Sequence, residues 1–287
     1  MTGEKILYIS DLDGTLLSPD SHLSETSIRL LNEAIEKGAL FSIATARTPA
    51  TVSDLMKEIN MRIPMVVMTG AALWDKHSGQ YSDVQYFTPE EVREICSAYT
   101  CKKEGGSFLY TLRDRDGGKK KMEIYHIGPL NDIERLFMEE RIHSPFKRFF
   151  VPESGLSEVP EVVTDAVLFF GMRPNDIASK IKQKLEAIPH INPMAYHDWN
   201  GDEITEIEAF PSGATKAKAI LRLKEKTGAD KVVVFGDNLN DISMMKIADR
   251  SIAVENALPE VKAVADEVIG SNAEDSVAKY ILKDISK

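Results

Sequence analysis

The chain has 287 residues, of which 43% are apolar and 28% charged, enough apolar material for two domains or for one with a large insertion. That composition excludes a wholly disordered chain, and apolar runs such as Ala166–Phe170 fall far short of the ~20 residues needed to cross a bilayer. A net charge of −10 argues against a general nucleic-acid binder, and any anionic substrate would have to be held by local cations or a metal.

In chain order, Lys5–Ser10 is apolar and β-prone and stops abruptly at Asp11, as a buried strand does at its carboxyl end. Ile6–Ile9 is too short for a signal-peptide core, and an acidic pair follows it. Ser24 is positioned as an N-cap, Ile28, Leu31 and Ile35 recur at helical spacing, and Gly38 is a stop signal. Leu40–Ala44 predicts a strand, Pro49–Ile59 a helix with proline in its first turn, and Met65–Met68 another strand. Strands alternating with helices imply a layered, parallel α/β sheet.

The pattern changes after Ala71, where short β-prone pieces flank a turn at His77-Ser78-Gly79. Helices are expected at Pro89–Lys103, Asn131–Glu140 and Ile177–Ala187, and strands at Ser107–Leu112, Lys121–Ile127 and Ala166–Met172, with turns at Asp116-Gly117-Gly118 and Gly128-Pro129. This reads as a separate α+β domain spanning 85–194. The α/β alternation then returns. Glu203–Ala209, Lys231–Phe235 and Ser251–Val254 predict strands, and Gly213–Thr227, Asp241–Ala248, Pro259–Ala265 and Glu274–Ile285 predict helices. The expected division is a discontinuous core, 1–84 and 195–287, forming one sheet with the α+β domain inserted into it. The two cysteines, Cys96 and Cys101, suit neither a disulfide framework nor a zinc cluster, so a reducing cytoplasm is expected.

The strongest chemical signal is Asp11-Leu12-Asp13-Gly14-Thr15, directly after a strand. Two carboxylates one residue apart at a buried strand end are costly unless something pairs with them, and a hard divalent cation would. One could also attack phosphorus while the other handles protons. By itself the motif is equally readable as an Asp-rich turn. It is not a calcium EF-hand loop, since Leu16 and His22 stand where that loop needs Gly and Glu.

The second signal, Gly236-Asp237-Asn238-Leu239-Asn240-Asp241, also follows an apolar strand. Alone it reads as a helix N-cap loop. Two acidic strand ends in one parallel sheet are harder to set aside, because open α/β sheets bind ligands at strand carboxyl ends. Thr45 follows Leu40–Ala44 and offers a hydroxyl, although a cap for the next helix is the simpler reading. Lys216 lies in the first turn of the helix after Pro211-Ser212-Gly213, a useful place only if it reaches a phosphate.

In order, these motifs resemble the haloacid dehalogenase-like phosphohydrolases, and more narrowly their Cof-type sugar-phosphatase branch, whose α+β cap lies between the Thr and Lys motifs. Glu208-Ala-Phe-Pro-Ser-Gly-Ala-Thr-Lys216 is similar to the branch's approach to its lysine, with Ala209 in place of the usual Ile, and Ala46 stands where many relatives have Gly. The resemblance implies a Rossmann-like α/β core with an inserted α+β cap. It implies Asp11 as nucleophile and Asp13 as general acid and base. Mg2+ would be held by Asp11, the Asp13 backbone carbonyl and Asp237. Thr45, Lys216 and Asn240 would bind the phosphoryl group, with Asp241 behind them or orienting Lys216. The implied partner is a small phosphorylated metabolite, with no nucleic acid and no membrane.

Other readings stay bland. Met244-Met245 is expected in the core, Lys119-Lys120-Lys121 as a solvated turn, and His197-Asp198-Trp199 as a hinge or packing element. Arg47 could reach toward substrate. A phosphomutase on the same scaffold would use the same motifs, and a non-catalytic phospho-ligand sensor would be expected to lack Asp11 or Asp13.

Overall fold

The structure is a computed structural model, which describes residues 4–99, 106–115, 118–128, 130–150, 163–197 and 203–287. The chain divides into two compact units, Met1–Asp83 with Thr215–Lys287, and Val84–Ala214.

The first unit is built on a five-stranded sheet in the order Glu267–Val268, Arg250–Ala253, Lys231–Gly236, Ile6–Ser10, Leu40–Ile43. Every pairing in it is parallel. Its two central strands, ILYIS and KVVVFG, are near-continuous apolar runs because helices cover both faces, and Leu7, Ile9, Val232 and Val234 are fully buried. Each such side chain contributes about 1.5–3 kcal/mol relative to exposure. The N- and C-terminal portions of the chain therefore share one sheet, as the alternation implied.

Local rules place the helices. Ser24 accepts a hydrogen bond from Ser27 N–H and caps Glu25–Glu36, which packs against Ser276–Ile285. Thr215 caps Lys216–Thr227 in the same way, and Gly228, at φ 63°, ends it in the left-handed conformation. Met65–Val67 joins Ala72–Asp75 and Gln80–Ser82 in a small antiparallel sheet, and Ala44 bridges to Val66 in parallel. The helix expected over Pro49–Ile59 is shorter, Pro49–Val52, and irregular turns follow it. Likewise the segment from Asp241 is a 3-10 turn, Leu239–Asp241, leading into the short helix Ile242–Met245, whose two methionines are buried.

The second unit is α+β. Its six-stranded sheet runs Ile191–His197, Ile204–Pro211, Ala166–Pro174, Ser107–Arg115, Lys119–Ile127, Lys147–Phe150. All pairs are antiparallel except the last, which is parallel. Pro89–Tyr99 and Asn175–Glu186 pack on one face around Leu109, Phe169, Ile207 and Ala209. On the opposite face Phe137, from the helix Asp132–Glu139, sits 5.5 Å from Phe108 and 5.0 Å from Phe170 between ring centroids.

The return to the first unit falls near Thr215, about twenty residues later than the expected 194/195 boundary. The strand assigned from sequence to the core, Glu203–Ala209, lies in this second sheet as Ile204–Pro211, between Ile191–His197 and Ala166–Pro174. Its burial alternates, with Thr205, Ile207 and Ala209 inside, as expected of an antiparallel strand rather than a parallel core strand. The lysines at 119–121 open a strand instead of forming a turn, and Lys120 pairs with Asp114 at 3.3 Å. Cys101, Asp116, Gly117, Pro129, Asp198 and Trp199 lie outside the described residues. No described helix is long and apolar enough to cross a membrane.

Candidate active site

The parallel ladder carries its acidic strand ends to one edge of the sheet. Asp11 N–H donates to Phe235 O at 2.9 Å, extending the pairing one residue past Ser10. Its carboxylate is thereby held at the carboxyl end of the central strand, 7% exposed. Asp237 follows Gly236 at the end of the neighbouring strand. The chain then turns at Gly14, with φ +78°, so closely under Asp237 that a Cβ there would lie 2.3 Å from Asp237 Oδ2. Thr15 Oγ1 donates to Asp237 Oδ1 at 2.7 Å, and Asn256 Nδ2 donates to Gly14 O at 2.7 Å. The loop after the first strand thus serves as the cradle of the second acidic residue.

Lys216, the first residue of its helix, is 1% exposed and reaches into this edge. Its Nζ lies 2.6 Å from Asp11 Oδ1 and 2.7 Å from Asp241 Oδ1. Asp241 Oδ2 accepts the N–H groups of Asp237 and Asn238 at 3.0 and 3.1 Å. Both Asp241 oxygens are therefore committed to orienting the lysine and tying down the turn.

Oxygens of Asp11, Asp237 and Asp241 lie within 4.8 Å of one another, and the one ammonium of Lys216 pairs with Asp11 and Asp241, which leaves a surplus of negative charge. Burial pushes the Asp11 carboxyl up from its usual range, the Lys216 ammonium opposes this, and Asp241 and Asp237 add to it. Burial also raises Asp237, to about 6. Burial works against the Lys216 ammonium, yet Asp11 and Asp241 outweigh it and hold the lysine charged. A divalent cation fits this donor set. It would offset the surplus charge, and the Oδ2 atoms of Asp11 and Asp237 take no hydrogen bond among the described residues.

The Asp13 carboxylate is held by a second cation, Arg47. Arg47 grips it with Nε on Oδ2 at 2.8 Å and Nη2 on Oδ1 at 2.6 Å. Thr45, 1% exposed, accepts the Arg47 N–H on its Oγ1 at 3.1 Å, so Thr45, Arg47 and Asp13 form one connected chain. Asn240 sits in the turn before Asp241, and its Oδ1 is buried with no partner among the described residues. The structure thus gathers Asp11, Asp237, Asp241 and Lys216 directly and links Asp13 to Thr45 through Arg47. Sequence reasoning did not find the Arg47–Asp13 pair or the Thr15 hydroxyl on Asp237. Thr15 was on view inside the first motif, but its direction depends on the Gly14 turn.

A model of the family described as haloacid dehalogenase-like hydrolase matches residues 8–281. A 5-amino-6-(5-phospho-D-ribitylamino)uracil phosphatase of Bacillus subtilis is 26% identical over 280 residues, covering 96% of this chain and 94% of its own. A pyridoxal phosphate phosphatase of Escherichia coli is 28% identical over 280 residues, covering 94% and 95%. Among solved structures, a haloacid dehalogenase-like hydrolase from Bacteroides thetaiotaomicron superposes with a TM-score of 0.75 at 21% identity, over 98% of this chain and 100% of that one. A sugar phosphatase of subclass IIB superposes at 0.68 and 21% identity, over 98% of each chain. The chain belongs to the haloacid dehalogenase-like hydrolase family.

Proposed function

We propose that this enzyme is a Mg2+-dependent phosphatase of small phosphorylated metabolites, with sugar phosphates the first class to test, working through an aspartyl-phosphate on Asp11. The observation that carries this reading is the single ammonium of Lys216 held between Asp11 and Asp241 at the strand ends. It aligns a carboxylate nucleophile and supplies a cation for the incoming phosphoryl group. The names of the B. subtilis, E. coli and subclass IIB relatives, each a phosphatase of a small metabolite, support the substrate class.

In the proposed reaction an Asp11 oxygen attacks phosphorus, and the bond to the leaving oxygen breaks as Asp13 protonates it. Asp13, now ionised, takes a proton from water, whose oxygen attacks the aspartyl-phosphate. Phosphate leaves and Asp11 is restored. Thr45, Lys216 and Asn240 hold the phosphoryl oxygens, and Asp241 fixes Lys216. Asp11, the Asp13 carbonyl and Asp237 would hold Mg2+, which when bound neutralises phosphoryl charge. Phosphoryl transfer depends mainly on such alignment and charge neutralisation, so the chain's own task is placement.

We assign the inserted unit the role of a cap that sets substrate choice, because the strand-end residues recognise only phosphate. The near absence of cysteine supports a reducing, cytoplasmic setting. A screen of phosphorylated metabolites for phosphate release, with and without Mg2+, tests the proposal. Release from sugar phosphates that depends on Mg2+ and is lost in Asp11→Asn is expected. Release indifferent to Mg2+ and to Asp11 would overturn it.

A further inference from the structure

After the strand Met65–Val67 the backbone takes three successive positive φ values, at Met68 (51°), Thr69 (55°) and Gly70 (94°). Glycine adopts this region freely. A β-branched residue does so only where its surroundings enforce it, and such places cluster at ligand sites. The surroundings of Thr69 do enforce it. Met68 N–H donates to Arg47 O and Thr69 N–H to Thr45 O, both at 3.0 Å. Gly70 presses against the residue before Lys216, since a Cβ on it would lie 2.3 Å from Thr215 O. Arg222 Nη2 donates to Gly70 O at 3.1 Å. The turn is clamped between the segments that carry Thr45 and Lys216.

Thr69 is 2% exposed, and its Oγ1 is buried with no hydrogen-bond partner among the described residues. Buried hydroxyls are nearly always paired, because an unpaired one loses its water without replacement. A strained backbone and an orphaned hydroxyl therefore coincide at one residue, which is hydrogen-bonded through its N–H to Thr45 and followed by the glycine that abuts the residue before Lys216.

We propose that Thr69 is a further phosphate-binding residue, its Oγ1 donating to a non-bridging oxygen of the phosphoryl group held by Thr45 and Lys216. The proposal rests on the phosphate placement given above. It assigns the hydroxyl the partner it lacks, and it explains why the turn holds a β-branched residue where glycine would be unstrained.

The test compares Thr69→Val, Thr69→Ser, Thr69→Gly and Thr45→Val in the full chain with Mg2+ present. The readouts are the inhibition constant of inorganic phosphate, KM and kcat for a simple aryl phosphate monoester, and the melting temperature. Valine keeps the shape and the β-branch and removes only the hydroxyl. A hydrogen bond to a charged group is worth roughly ten- to a hundredfold in affinity, so Thr69→Val should raise the phosphate inhibition constant and KM by that much. Its melting temperature should hold or rise, because no bond within the protein is lost. Thr69→Ser should bind phosphate like wild type. Thr69→Gly, which suits the backbone, should bind as weakly as the valine variant, and it keeps the test available if the valine variant does not fold. Wild-type phosphate binding in the valine or glycine variant overturns the proposal, as does serine binding as weakly as valine. If Thr45→Val also binds phosphate normally, the placement of the phosphoryl group fails as well. Weak binding in Thr45→Val with normal binding in Thr69→Val overturns the Thr69 assignment alone.

Discussion

Arg47 holds both carboxylate oxygens of Asp13, at 2.8 and 2.6 Å, in a side-on ion pair across the two loops that follow the first two strands. The Asp13 side chain is 50% exposed and that of Arg47 26%, so the pair contributes little to stability, about 0–1 kcal/mol. Its effect is directional, since a bidentate guanidinium fixes where the carboxylate points.

Replacing Arg47 with Gln should therefore separate activity from stability. The melting temperature should stay close to wild type, while kcat/KM falls about tenfold or more as Asp13 loses its orientation. Lysine should not rescue it, because an ammonium cannot make the fork. Steady-state kinetics beside thermal melts decide the matter. Unchanged kinetics would mean that the pair is ornamental.

Asp11→Asn should abolish turnover by several orders of magnitude, since an amide is a poor nucleophile. The fold should survive, because Lys216 keeps Asp241 as a partner at 2.7 Å and one buried negative charge is removed. Phosphate release and circular dichroism on the same sample check both halves. Near-wild-type release would refute the assignment.

Metal binding should show in stability as well as in rate. If Mg2+ neutralises the crowded carboxylates, it should raise the melting temperature, by about 2.7 kcal/mol of linkage at a hundred times its Kd. Gly14→Ala should weaken that response, since its Cβ would collide with Asp237 Oδ2 at 2.3 Å and its backbone sits at φ +78°. Asp237→Asn should weaken it without the backbone penalty. Melts in EDTA and across a Mg2+ titration are the measurement, and equal shifts in all three proteins would place the cation elsewhere.

The second unit should carry a pH dependence of its own. Burial, and secondarily Glu206, pushes Glu208 from 4.5 up to about 8. Its contribution is complete below pH 4.5 and is lost as pH rises toward 8, because the folded chain keeps a proton that the unfolded chain releases. Burial, helped by Arg141, brings Lys147 from 10.5 down to about 8, so its contribution is complete above pH 10.5 and is lost as pH falls to 8. The two slopes meet near pH 8, each on the order of a few kcal/mol. Glu208→Gln should flatten the acid side and Lys147→Met the alkaline side in melts followed from pH 4 to 10. Parallel curves for wild type and both variants would contradict this.

The strand ends at Asp11 and Asp237 were legible because buried parallel strands are uninterrupted apolar runs, and a carboxylate closing one stands out. Ile191–His197 was not, because Asn192 and Pro193 resemble a connector. It is an edge strand, where proline is tolerated since one side needs no ladder bonds. The strand 204–211 was recognised as a strand but given to the wrong unit. Its in-out alternation, visible in Thr205, Ile207 and Ala209, already marked it as antiparallel. Arg47 on Asp13 could not be read at all, since nothing local fixes which way a long, flexible side chain reaches across 34 positions.

Asp11 and Lys216 are 205 positions apart in the chain, yet their side chains touch. At about 5–20 residues per second of synthesis, roughly ten to forty seconds separate their appearance at the ribosome. Residues 84–214 emerge in that interval with a core of their own and can fold first. Meanwhile Ile6–Ser10, which ends up between Leu40–Ile43 and Lys231–Gly236, lacks the second of these neighbours and presents an open edge. A chain that stops short of Lys216 lacks Lys216, Asp237 and Asp241 together, so Asp11 stands without any of its site partners until the last quarter of the sequence is made.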